Sequence, residues 1–162
     1  MTLFEDPAPA PRALVVPSAR IVPSLGARIG ALFSDTFAIE QDVLLDAAPP
    51  AAAGVSRPGV PAGATIAEDQ PSRVRIAAGV PEGGGYVVLL DSFDPNWVAE
   101  VDGQRAPLLD AHGLFRAIRV APGHHDVVLR YRSRPLLIGL FISLATALGL
   151  VVLCTLNPRR SV

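Results

Sequence analysis

The sequence predicts a mainly β molecule: an antiparallel β-sandwich preceded by a small α/β segment and followed by one C-terminal transmembrane helix. Three observations predict it. From residue 72 to residue 134 the apolar side chains recur at every second position, with turn signals every 8 to 15 residues. That spacing is the period of half-buried strands joined by short connections. From residue 11 to residue 46 two short apolar runs flank a stretch of helical period. The run 136–156 then carries no charge for 21 residues. At 1.5 Å per residue, a helix of that length matches a hydrocarbon layer of about 30 Å.

Each element has a local reason. Residues 1–10 hold prolines and acidic or polar side chains without an apolar period, so they are expected to be disordered, and no basic start followed by an apolar stretch marks a signal peptide. In 11–46, Ala13 to Val16 and Ala19 to Val22 read as strands broken at Pro17, and Val43 to Leu45 as a returning strand. Ser24 is suited to cap a helix from Leu25 to Phe33, whose apolar stripe is Leu25, Ile29, Leu32 and Phe33. Residues 47–64, rich in Ala, Pro and Gly, are expected to form a linker.

The β module is assigned to 65–135. Val74, Ile76 and Ala78 share one face of the first strand and Arg73 and Arg75 the other. Tyr86 to Leu90 is apolar on both faces, the pattern of a strand covered on both sides. Trp97 to Val101 alternates and runs into Asp102-Gly103, a pair that accepts the positive φ angles of a tight hairpin. Leu114 to Val120 ends at Pro122-Gly123, and His124 to Arg134 closes the series. Gly83-Gly84-Gly85, without the Lys and helix of a phosphate loop, reads as a hairpin connection. The tail 157–162 follows the expected helix.

Composition narrows the function. The formal charge is −1 and both signs are interspersed, which leaves no basic footprint for nucleic acid. All 14 basic residues are Arg, and the single cysteine, Cys154, has no partner for an internal disulfide. Arg130, Arg132 and Arg134 lie on one face of the last strand next to the expected helix, within reach of lipid phosphates or simply solvated. Gly139, Ser143 and Ala147 recur every fourth residue, a register in which another helix can approach closely. Charge counting sets Arg159 and Arg160 after the helix against the three arginines before it and leaves orientation open.

The order of motifs carries a resemblance. Pro95 and Trp97, Val101-Asp102-Gly103, Phe115-Arg116-Ala117, Pro122-Gly123-His124 and Arg130-Tyr131-Arg132 occur in the sequence and spacing of the C-terminal end of the bacterial YfhO family of multi-pass membrane proteins. The upstream stretch from Pro11 to Ser24 is similar to the segment preceding that module. The chain departs from the family pattern at Asn96, where Gly is usual, and it lacks the polytopic portion that in the family resembles glycosyltransferases using lipid-linked sugars. The resemblance implies that the β module lies outside the cytoplasm, with the C-terminus inside, and that a polytopic partner supplies the other membrane helices.

Candidate chemistry is sparse. Asp91 and Asp94 beside Asn96 and Trp97 could bind a cation or a sugar, though carboxylates on a turn commonly just shape it. Trp97 at the start of a strand reads first as a core anchor. His112, His124 and His125 lack metal-ligand spacing and read as surface residues, with the last two on opposite sides of a strand. No catalytic set, metal site or cofactor site can be assembled. The expectation is therefore a non-catalytic β module with a membrane anchor, part of a YfhO-like system for cell-envelope glycosylation. The second reading is a free-standing, tail-anchored module that binds glycan or protein through the turn from Asp94 to Trp97.

Overall fold

The computed structural model describes residues 10–34, 37–55, 57, 59–60 and 62–156, with side chains of the last helix described for 139–153. Residues 1–9 of the expected N-terminal segment and the tail 157–162 lie outside the described residues, as do Arg159 and Arg160. The chain divides into two units, Met1–Tyr131 and Arg132–Val162. The architecture is mainly β, with three sheets and two helices among the described residues.

Within the first unit the strands are β1 (Ala13–Val16), β2 (Ser18–Ile21), β3 (Asp42–Leu45), β4 (Gly63–Gln70), β5 (Arg73–Val80), β6 (Gly85–Ser92), β7 (Trp97–Val101), β8 (Gln104–Ala106), β9 (Leu109–Ala111), β10 (Phe115–Val120) and β11 (Gly123–Tyr131), with helix α1 (Leu25–Leu32) between β2 and β3. One antiparallel sheet has the order β1-β6-β10-β9, and the facing one β4-β5-β11-β7-β8. Their inner faces bury Val15, Val87, Leu89 and Ile118 against Val74, Ile76, Val101 and Leu129. Each such side chain, fully removed from water, contributes about 1.5 to 3 kcal/mol before entropy is counted.

A third layer covers the outer face of the first sheet. The strands β2 and β3 pair in parallel, and Val43 and Leu45 of β3 pack on Leu14, Val16, Tyr86, Val88 and Ala117. This layer explains the doubly apolar β6: Val87 and Leu89 face the second sheet while Tyr86 and Val88 face β3. Residues 11–46 are thus not an appendage in front of the β module. Their first strand completes a sheet of that module through antiparallel pairing with β6.

Several connections differ from the sequence reading. Gly83 and Gly84, both at positive φ, carry the chain from β5 in one sheet to β6 in the other, so they make a crossover and not a hairpin. The expected linker is tied to the module where Ala53 bridges Val120, and β4 begins at Gly63. The helix α1 is capped by Ser24, whose hydroxyl accepts from the Ala27 N–H, but Leu25 and Phe33 are exposed and the residue it buries is Arg28. Arg28 donates to the Val22 and Pro23 carbonyls and approaches Asp110 at 3.8 Å. At Asp102 and Gly103 the φ angles are 52° and 79°, the tight-turn geometry their residue types favour.

The second unit holds α2 (Arg134–Leu156). The transmembrane helix expected over 136–156 is corrected here: among the described residues no helix is long and apolar enough to cross a membrane. Gly139, Ser143 and Ala147 lie on the exposed surface of α2.

Candidate functional site

One end of the two-sheet core opens into a groove of about 700 Å³. It takes Arg12 from the approach to β1, Asp91 and Ser92 from the end of β6 and Arg116 from β10, all from the first sheet. From the second sheet come Asp69 and Gln70 at the end of β4 and Trp97 at the start of β7. A register shift places Phe115 opposite Ser92 but Arg116 opposite Leu89. This bulge in β6 turns the Asp91 carboxylate toward the arginines.

Charge pairs organise the groove. Arg12 grips Asp91 with two parallel hydrogen bonds of 2.8 and 2.9 Å, and its third nitrogen reaches Asp69 at 2.5 Å. Those bonds hold the Asp91 carboxyl below the usual carboxylate range and raise the Arg12 guanidinium above its own. Arg116, only 6% exposed, donates from Nε to the Ser92 carbonyl at 2.9 Å and lays its guanidinium 4.0 Å above the Trp97 ring. Burial lowers its proton affinity, which the nearby Asp91 and Asp94 charges partly offset. Its Nη1, 3.7 Å from Asp91, has no hydrogen-bond partner among the described residues.

The four residues put forward from sequence divide at this point. Asp91 and Trp97 line the groove. Asp94 instead closes a turn, accepting from the Asn96 backbone and side-chain N–H groups at 2.7 and 2.9 Å and from the Tyr131 hydroxyl at 3.4 Å. Asn96 is engaged in the same turn. One Trp97 face is covered by Arg116, and Tyr131 meets the ring edge-on at 5.5 Å. Arg12, Asp69, Gln70 and Arg116 were not put forward as site residues, because Arg12, the Asp69-Gln70 pair and Arg116 come from segments far apart in the chain. The one local signal was an Arg at the second position of the strand Phe115–Val120, between Phe115 and Ala117.

The histidines also depart from expectation. His124 is exposed, but His125 and His112 are buried. His125 places one ring nitrogen 2.9 Å from Asp102 and the other 3.3 Å from the Pro122 carbonyl. Asp102 also accepts from the Asp126 N–H at 3.0 Å and sits 3.6 Å from Arg57. Burial pushes its carboxyl up, yet the bonds from Asp126 and His125 bring it below the ordinary value. His112 is fully buried at φ 61°, with Phe37 and Phe115 edge-on. Its backbone N–H donates to the Leu44 carbonyl at 2.7 Å, and its ring accepts from the Leu44 N–H at 3.4 Å. Desolvation takes its pKa down to about 4.

Of the arginines proposed to meet lipid phosphates, Arg130 lies 3.4 Å from Glu100 across the sheet and Arg132 is exposed, while the Arg134 side chain lies outside the described ones. Among the described residues no three His, Cys, Asp or Glu side chains cluster to hold a metal. The fold and groove define a three-layer β module with a polar cleft at one end. Comparison with family models, curated proteins and solved structures returns no match.

Proposed function

We propose that this chain is a non-catalytic accessory module of a YfhO-like cell-envelope system, acting outside the cytoplasm beside a polytopic partner that performs glycosyl transfer. One observation carries the reading. Trp97, Arg116 and Tyr131, three of the scattered residues on which the resemblance rests, converge in a single cluster, with Arg116 over the indole face and Tyr131 edge-on to it. Residues spread over the second half of a chain do not meet this way through composition alone. The carboxylates support an accessory role, since Asp91, Asp94 and Asp102 are each committed to internal partners. The exposed apolar side chains of α2, among them Leu140, Phe141, Ile142 and Leu144, favour association with another apolar surface.

Deleting the gene from its host and analysing the sugar composition of the envelope tests the proposal. Loss of a glycan substituent, restored by the full-length chain supplied in trans, is the expected result. An unchanged envelope composition rejects it.

A further inference from the structure

We infer that the slot beside the free edge of β1 is a docking site for an extended segment of a partner polypeptide, with small side chains and one basic residue, which joins the first sheet as its fifth strand. The inference does not rest on the family reading, and either can fail without the other. β1 stands at the end of the order β1-β6-β10-β9 and pairs with β6 alone. The Leu90 N–H donates to the Arg12 carbonyl at 2.8 Å, so the Arg12 backbone faces β6. Successive residues of an antiparallel strand alternate in this respect. Leu14 and Val16 therefore face β6 as well, and the N–H and C=O groups of Ala13 and Val15 point away from it. Among the described residues no backbone hydrogen bond completes those four groups. Native proteins leave few such groups unmatched.

Ala13 and Val15 line a slot of about 320 Å³ together with Ala62, Gly63 and Ala64, where the chain enters β4, the edge strand of the second sheet. These small side chains leave room for a backbone and little else. A helix is about 10 to 12 Å across and has its backbone groups bonded internally, whereas a strand lies about 4.8 Å from its neighbour and offers it N–H and C=O groups at every second residue. Addition of a strand to an open edge is a recurring way of binding extended peptides. β1 also lacks what usually closes an edge to other chains, for it reads Ala-Leu-Val-Val without charge, proline or bulge. Other edges carry such a device: a register shift after Ile66 in β4, Arg20 in β2 and Arg105 in β8. Charge then selects the partner. Glu40 lines the slot, is exposed and has no ion pair among the described residues, so a Lys or Arg of the incoming segment meets its counterpart there. A second copy docked edge to edge would bring two Glu40 carboxylates to one slot, which favours a partner of opposite charge.

The full chain would be added to a fluorescein-labelled peptide, Ala-Val-Lys-Ala-Val-Ala, and binding followed by anisotropy. Saturable binding is expected. N-methylation at alternate residues gives two further peptides of opposite phase, and only one phase removes the N–H groups that point at β1. That peptide should bind roughly tenfold more weakly and the other about as well as the parent. Gly63→Leu obstructs the slot without disturbing the fold, since a Cβ at Gly63 meets no atom within 4 Å, and it should abolish binding. Glu40→Lys should weaken the parent peptide by about two- to fivefold and favour the same peptide with Glu in place of Lys. No saturable binding, equal binding by the two N-methylated peptides, or binding unmoved by Gly63→Leu or by Glu40→Lys would overturn the inference. Self-association of the chain that Gly63→Leu dissolves, with no peptide bound, would assign the slot to a second copy and overturn it as well.

Discussion

At the scale of single residues, the module is held by side chains whose polar atoms are matched with little to spare. Asp102 shows the principle. It stands at φ 52°, a backbone conformation that Asp and Asn tolerate and most residues resist, and its carboxylate serves the Asp126 N–H, His125 and Arg57 together. Asp102→Ala removes both qualities and leaves the buried His125 ring without one partner. The expected loss is about 2 to 4 kcal/mol in urea unfolding followed at Trp97. Asp102→Asn keeps the turn preference and an acceptor oxygen, so it should cost less than half as much. Equal losses for the two variants would mean that the turn contributes nothing and that charge alone matters.

At the scale of elements, β1 decides how the molecule is divided. Its side chains alternate between two cores, Val15 inward against the second sheet and Leu14 outward against β3. Leu14→Ala and Val15→Ala should therefore both lower the stability seen at Trp97, by roughly 2 to 4 and 1 to 3 kcal/mol. If residues 11–46 folded apart from the sheets, Trp97 would not sense either change. The strands with a clean period, β5, β7 and β11, were legible in the sequence because one face is wet and one dry, and so was the Asp102-Gly103 turn. β4 was not: Ile66 is the one large apolar side chain among Gly, Ala, Thr and acidic residues, and its pairing with β5 supplies what the pattern lacks. The stripe on α1 misled for a related reason, since a three-layer fold buries Arg28, whose donors find the carbonyls of Val22 and Pro23, more deeply than Leu25. Pairing across strands is long-range information. The groove is built from it entirely, with Arg12 meeting Asp91 across 79 positions of the chain.

At the scale of the whole molecule, the buried ionisable groups set a response to acid whose sign can be worked out group by group. His112 has a folded-state pKa of about 4 against an ordinary value of about 6.5. The unfolded chain thus binds the extra proton first, so the stabilisation is complete above pH ~6.5 and drains away as pH falls toward 4, by on the order of 3 kcal/mol. Asp91 and Asp102 are shifted down, so their contribution is present above about pH 4 and is lost as pH falls further, through their folded-state values. Asp110 runs the other way: desolvation raises its carboxyl, so its ionisation weakens the fold as pH rises through the acid range. Asp110 therefore opposes His112 just above pH ~4, whereas the two depressed carboxylates act below it. The unfolding midpoint in urea should accordingly fall in two stages, a first decline between pH 6.5 and 4 and a second below it. His112→Asn tolerates the same positive φ and does not titrate, so it should flatten the first stage and spare the second. A first stage that survives in His112→Asn would assign the decline to some other group and remove His112 from its place as the acid-sensitive contact between β3 and β9.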